Sequence, residues 1–377
     1  MRMQAGARLG RGLQLVISPM LELTYSRRVL RFNFPARTSR GALTEHVAWY
    51  LHLADPAAAT PAGVGEAAPL QGLSPDYSPG YELELQNLCR RFNAARLREF
   101  AAGQAPEFVP PRCPALLFAL ETAALDQASA TRHQLYANAF SRGRAGLPIN
   151  GLVWMGDAAF MREQIRQKLA AGYSCLKLKI GSLDFATELK LLAEIREVAG
   201  PEQLTLRVDA NGAFTPVAAL KKLDQLARFG IHSIEQPIRT GRGPTLAHLC
   251  RRSPIPIALD EELIGVTIPA KQEALLDKIA PAYIVLKPTL LGGHAATRRW
   301  IALAEARGIG WWITSALESN VGLNAVAQLT GEYDVQGFAQ GLGTGQLYHN
   351  NVAAPLRIAA GQLHYDPAGT WEALPAG

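Results

Sequence analysis

Leu206-Arg207-Val208-Asp209-Ala210-Asn211-Gly212 is the stretch whose reading decides the fold. Alternation puts Arg207 and Asp209 on one face and Leu206 and Val208 on the other, as in a short strand. Asn211-Gly212 then breaks the strand, so the chain delivers a carboxylate into a turn. The arrangement recurs. Ser233-Ile234-Glu235-Gln236-Pro237 and Ile257-Ala258-Leu259-Asp260-Glu261 each carry a strand that ends in an acid. The three acids lie 26 and 25 residues apart, room for one strand, one helix and two short loops.

To either side the same alternation continues. The spacing predicts strands over 148–155, 175–180, 204–209, 232–235, 256–260, 283–287, 310–315 and 336–340. Helices are predicted between them over 158–171, 184–199, 215–229, 245–252, 271–278, 294–307 and 320–330. Eight strands with seven crossover helices predict a closed β/α barrel. An open doubly wound sheet would carry a glycine-rich phosphate turn after its first strand, and Trp154-Met155-Gly156-Asp157 is not one. Before the barrel, 21–25, 29–34 and 47–53 read as strands, and 81–102 and 114–130 as helices, a small α+β domain over 21–146. Pro35–Gly41 and Gly63–Ser74 read as loops. The barrel is expected over 147–340, and 341–377 is expected to pack back on the N-terminal domain.

The 377 residues are 48% hydrophobic and 19% charged, which suits a globular protein of two domains. The net charge is +6, but residues 1–40 alone hold eight Arg and one acid, which leaves −1 for the rest. A nucleic-acid protein would spread its basic face over the folded domain, so no nucleic-acid partner is expected. No apolar run is long enough to span a membrane. The acid-free, Gly-rich residues 1–20 read as a disordered extension. Cys89, Cys113, Cys175 and Cys250 lie far apart without CxxC spacing, as reduced packing residues of a cytoplasmic protein.

In such a barrel the C-terminal strand ends converge on one mouth. Strand two, Cys175-Leu176-Lys177-Leu178-Lys179-Ile180, has its apolar set facing the helices, so Lys177 and Lys179 point inward. Strands three to five end in Asp209, Glu235 and Asp260, and strand six ends in Lys287. In a ring of eight, strands two and six face each other. A carboxylate trio therefore occupies one wall, flanked by lysines. Three such carboxylates repel unless a hard cation joins them, and an oxygen-only donor set suits Mg²⁺, or Mn²⁺. A carboxylate substrate, a cation that stabilises the enediolate left by α-proton removal, and a lysine base form a consistent set. The base's pKa is expected to fall toward neutrality beside a second lysine and the cation.

These residues resemble the enolase superfamily, muconate-lactonising subgroup. The matching motifs are Lys177-x-Lys179, Leu206-Arg207-Val208-Asp209-Ala210-Asn211, Ile234-Glu235-x-Pro237, Leu259-Asp260-Glu261, Val285-Leu286-Lys287-Pro288-Thr289-Leu290, and Thr314-Ser315-Ala316-Leu317-Glu318-Ser319 with Gly322-Leu323. They run through the barrel in register. The resemblance implies a (β/α)7β TIM-like barrel with an N-terminal α+β capping domain completed by the C-terminal tail. It implies Asp209, Glu235 and Asp260 as Mg²⁺ ligands, Lys179 as the base, and Lys287 as the charge that stabilises the enediolate. The implied reaction is the Mg-dependent syn-dehydration of 2-succinyl-6-hydroxy-2,4-cyclohexadiene-1-carboxylate to o-succinylbenzoate in menaquinone synthesis. Two capping loops, 35–41 and 65–74, resemble those that close over substrate, and Arg40 in the first is a candidate substrate contact. Gln236 and Glu261-Glu262 depart from the residues more usual after Glu235 and Asp260.

Other roles are open at this level. Lys177 supports Lys179 electrostatically. Asn211 is either a donor to a metal-binding carboxylate or the turn residue. Ser315 and Ser319 are candidates for a substrate carboxylate. Arg207 reads as a buried salt-bridge partner, and Glu261, Glu262 and Glu318 as outer or solvated acids. The same lysines would also serve an N-acylamino-acid racemase or dipeptide epimerase. A non-catalytic metal-binding scaffold is the alternative of another class. The partner is a small-molecule carboxylate, and the oligomeric state is left open.

Overall fold

Long alternating runs build the first layer. In the computed structural model, which describes residues 20–38, 41–57 and 62–375, β1 (Glu22–Thr38), β2 (Gly41–Ala54) and β3 (Gly63–Ala67) form an antiparallel sheet in that order. The expected loop at 35–41 is instead mostly strand. The register slips between Arg31 and Ala36, a bulge that accommodates Pro35, and pairing resumes to Thr38↔Gly41. The first half of the other expected loop is β3. Its glycines are there for close packing, since a Cβ at Gly63 or Gly65 would overlap backbone atoms of the helix lying on it.

That helix is α3 (Pro114–Ala128), which follows α1 (Tyr81–Ala94) and α2 (Ala105–Phe108). Nearly every residue of α3 is buried. Leu116, Leu117, Ala119 and Leu120 pack into the N-terminal core, while Phe118 joins the core of the barrel.

The second layer begins at β4 (Leu147–Pro148) and β5 (Gly151–Val153) and continues with α4 (Ala158–Ala170), β6 (Cys175–Lys179), α5 (Phe185–Val198), β7 (Thr205–Asp209), α6 (Pro216–Ala227), β8 (Ile231–Glu235), α7 (Gly243–Arg252) and β9 (Ile257–Leu259). It is completed by α8 (Pro269–Ile279), β10 (Tyr283–Leu286), α9 (Pro288–Leu291), α10 (Gly293–Glu305), β11 (Gly310–Ile313) and α11 (Asn320–Thr330). Strands β5 to β11 form one parallel sheet in sequence order. Leu176, Leu178, Leu206, Val208, Ile234 and Leu259 turn outward into the core beneath the helices.

The expected eighth strand over 336–340 is absent. Phe338 N–H bonds to the Val335 carbonyl in a turn, and its ring lies in the barrel interior, over the Arg207 guanidinium. Two single bridges close the ring instead, Ile149↔Gln340 and Thr314↔Gly341, helped by the Gln340 side chain, which accepts from Ile313 N–H at 2.8 Å. The expected first strand is likewise split, because β4 leaves the barrel to pair with β13 (Gln362–Tyr365), which pairs with β12 (Leu356–Ala359).

The tail serves both layers. Tyr348 bridges to Phe32 of β1, and Glu372 pairs with Arg28 at 2.7 Å. Leu363 and Tyr365 belong to the barrel core. No helix among the described residues is long and apolar enough to cross a membrane.

Candidate active site

Strand pairing sets the level of each charged side chain. Lys179, Asp209 and Glu235 are successive partners across β6, β7 and β8, and Lys177 stands one step deeper, opposite Arg207. Asp260 follows β9, and Lys287 follows β10, where Pro288 ends the strand and opens α9. All of these are buried except Lys179 and Lys287, which keep only 13% and 12% of their side chains exposed.

The lysines and acids interleave. Lys177 Nζ lies 3.0 Å from Asp209 Oδ2 and 2.6 Å from Glu235 Oε2, the latter without hydrogen-bond geometry. Lys179 Nζ donates to Asp209 Oδ2 at 2.7 Å and to Asn211 Oδ1 at 2.9 Å. Lys287 Nζ donates to Asp260 Oδ2. Burial opposes the charge on Lys177 and Lys287, but the surrounding acids outweigh it and hold both pKa values up. Both are thereby held as ammonium groups. Burial also opposes the charge on Asp209, yet Lys177, Lys179 and Lys287 hold it well below the usual carboxylate range.

Glu235 is the least compensated member. Burial first, then Asp209 and Asp260, push its carboxyl well up, and its Oε1 is buried without a hydrogen-bond partner. As placed, the acids turn to the lysines, and no three His, Cys, Asp or Glu side chains among the described residues converge as a metal cluster.

The pocket above this layer encloses about 740 Å³, its mouth included. Lys177, Lys179, Asn211, Lys287 and Ser315 line it, and the three carboxylates are held by those lysines rather than lining it themselves. Its apolar wall comes from both layers: Leu70 and Leu73 after β3, Leu152 and Trp154 at β5, and Ala316 and Leu317 after β11. The 65–74 loop expected to close over substrate supplies Leu70 and Leu73; sequence reasoning missed the rest of the wall, because it forms only where the two layers meet.

Asn211 takes both roles left open for it. Its φ of +42° makes the turn, its N–H caps Asp209 Oδ1 at 3.0 Å, and its Nδ2 donates to Glu261 Oε1 at 3.0 Å. Ser315 reaches the pocket, but its proton is committed. It donates to Glu318 Oε2 at 2.5 Å, so the 2.5 Å contact with Thr344 must have Thr344 as donor. Ser319 is not in the pocket lining: fully buried, it caps α11 and donates to Glu66 Oε2 at 2.5 Å. Arg40, like residues 1–19, lies outside the described residues.

Arg207 has no acid partner among the described residues. Its guanidinium stacks on Trp312 and Phe338, 4.3 and 4.4 Å from the ring centroids, and donates to the Ala339 carbonyl. Gln236 links two loops: its Oε1 accepts from Asp260 N–H at 3.2 Å and its Nε2 donates to the Ile238 carbonyl. Glu318 is fully buried and accepts from Thr289 as well as Ser315 and Ala316 N–H, so it is not solvated. Glu66 was also missed. A lone acid in Gly63-Val64-Gly65-Glu66-Ala67-Ala68 was the available signal, since a charge inside an apolar run needs a buried partner.

Known proteins resemble this chain. Residues 160–369 match the family described as enolase C-terminal domain-like. The chain is 48% identical over 367 residues to the o-succinylbenzoate synthase of Desulfotalea psychrophila, covering 91% of this chain and 98% of that one. The crystal structure of MenC from Desulfotalea psychrophila LSv54 superposes with a TM-score of 0.80 at 46% identity, covering 92% of this chain and 99% of that one. The N-succinylamino acid racemase of an Amycolatopsis species is 28% identical over 87% of this chain and 88% of its own. With a family match over more than half its length and a full-length relative at 48% identity, the chain belongs to the enolase superfamily.

Proposed function

We propose that this chain is a carbon–oxygen hydro-lyase that dehydrates 2-succinyl-6-hydroxy-2,4-cyclohexadiene-1-carboxylate to o-succinylbenzoate in menaquinone biosynthesis. The observation that carries the reading is 48% identity along 98% of the o-succinylbenzoate synthase of Desulfotalea psychrophila. We take 21–146 as the capping domain and 147–340 as the barrel, and place the protein in the cytoplasm, in keeping with its four free cysteines.

Lys179 is the base. Its Nζ borders the pocket, and Asp209 and Asn211 accept its protons and aim it. As a free amine it takes the proton α to the substrate carboxylate. It then returns that proton to the hydroxyl leaving from the neighbouring carbon on the same face. One C–H and one C–O bond break, one C=C bond forms, water departs, and the ring becomes aromatic. The Lys287 ammonium offsets the negative charge that develops on the substrate. Leu70, Leu73, Trp154 and Leu317 exclude water from the ring.

Enolase-superfamily enzymes depend on a divalent metal ion. Asp209, Glu235 and Asp260 would hold it here. The oxygen-only donors suit Mg²⁺ or Mn²⁺, and the partnerless Glu235 Oε1 marks a place short of positive charge. Such a cation would supply the positive charge that stabilises the enediolate left by removal of the α-proton.

The test is an assay of purified protein with Mg²⁺ on the cyclohexadiene carboxylate, and absence of aromatic product overturns the reading. A racemase would instead exchange the α-proton of an N-succinylamino acid with solvent, and Lys287→Arg would abolish exchange on one face.

A further inference from the structure

The pocket is shared between two chain segments, and one buried carboxylate joins them. Glu66, fully buried on β3, accepts from Ser319 N–H at 2.7 Å, Ser319 Oγ at 2.5 Å and Gly322 N–H at 2.7 Å. Both oxygens of a capping-domain acid are therefore used on the N-terminus of the barrel helix α11.

The segments on either side of the contact lead straight to the pocket. From Glu66 the buried run Ala67-Ala68-Pro69 leads to Leu70, and Leu70 to Ser74 closes on itself: Leu70 N–H donates to Ser74 Oγ at 2.7 Å and Ser74 N–H to the Leu70 carbonyl at 2.9 Å. This self-closed turn carries Leu70 and Leu73 to the pocket wall. From Ser319 the chain runs back through Glu318, which holds Ser315 and Ala316, to the Ala316–Leu317 part of the same apolar wall. Tyr348 OH fixes the Leu317 carbonyl between them at 2.6 Å. The two parts of the wall are thus joined at Glu66–Ser319.

We propose that Glu66 is a positioning residue that docks the 68–74 loop on the 314–319 loop and so sets how the Leu70–Leu73 and Ala316–Leu317 parts of the apolar wall pack together against the substrate. The consequence for turnover rests on the dehydratase reading above, whereas the docking does not. Lys179 and Lys287 stand on barrel strands that Glu66 does not touch. Loss of the contact therefore weakens grip in ground state and transition state alike, which raises KM and spares kcat.

The experiment compares wild type, Glu66→Gln, Ser319→Ala and the double variant by steady-state kinetics, thermal midpoint and amide hydrogen exchange. In Glu66→Gln, KM is expected to rise roughly tenfold with kcat within about twofold, the loss of one charge-assisted bond. Exchange accelerates over 67–74 and 314–322 and is unchanged over 283–286. Ser319→Ala, which keeps the backbone bonds and is the milder change, moves KM in the same direction, and the double variant is less than additive. A lowered midpoint with unaltered KM means a merely structural contact and overturns the proposal. So does unaltered exchange over 67–74. If the wild type forms no aromatic product, the dehydratase reading fails, and the exchange pattern alone upholds or overturns the docking.

Discussion

Asp209 sits between two ammonium groups, with Lys177 Nζ at 3.0 Å and Lys179 Nζ at 2.7 Å from the same oxygen. Replacing it by Asn leaves those lysines short of countercharge in a buried layer, a change that costs about 3–5 kcal/mol when one partner of a buried pair is lost. Asp209→Asn is expected to lose turnover and to melt at lower temperature, read by the aromatisation assay and by calorimetry. An active variant would mean that the metal site is elsewhere. Ser315 carries the opposite expectation. Its hydroxyl proton is held by Glu318, so Ser315→Ala should raise KM by less than about tenfold, since no bond to an ionised substrate group is lost. A larger rise would show that Ser315 does donate to the substrate carboxylate. At this scale the sequence was legible where alternation assigns a face, as for Lys177, Lys179 and Asp209. It was not legible where a side chain's partner comes from far along the chain. Arg207 needed an acid on the sequence reading and found Trp312, Phe338 and a carbonyl instead.

Helix α10 shows how elements are joined across the layers. Glu121 of α3 accepts from His294 N–H at 2.5 Å and from Ala295 N–H at 3.3 Å, capping α10 from the capping domain. His294 Nε2 lies 2.9 Å from Thr122 Oγ1, and its ring stacks on Phe118. Gly293 has a φ of +91°, and a Cβ there would overlap the Glu121 carboxylate. Gly293→Ala is therefore expected to destabilise by roughly 1–3 kcal/mol through backbone strain and a displaced cap, measured by urea unfolding. Burial pushes Glu121 up to about 7, against the pull of its backbone donors. Its folded pKa exceeds its unfolded one, so between roughly pH 4.5 and 7 the folded state binds more protons. The contribution of Glu121 to stability is then fully present below about pH 4.5 and is lost as pH rises to about 7. The stability of wild type relative to Glu121→Gln should fall across that window, and a pH-independent difference would refute the assignment. Most helices were legible from period and caps, with ends shifted by one or two residues, but the helix expected over 81–102 stops at Ala94. The 336–340 strand was not, because Phe338 and the Gln340 side chain do what a ladder would have done.

For the molecule as a whole, a divalent cation that binds only the folded chain raises its melting temperature by mass action. Titration with Mg²⁺ is expected to raise the midpoint, and Glu235→Gln to abolish the rise, without reference to turnover. An unaltered wild-type midpoint would count against a site at these three acids.

The sequence by itself determined the barrel and its charged mouth. Both follow from local periodicity: alternation chooses the inward face of each strand, and regular spacing puts successive strand ends at one level. Tertiary structure alone decided the pocket walls, the ring closure and the Glu66–Ser319 and Glu121–His294 contacts. Each of these joins residues more than a hundred positions apart or replaces a strand by side chains. No pattern within a single element encodes which distant surface will cover it.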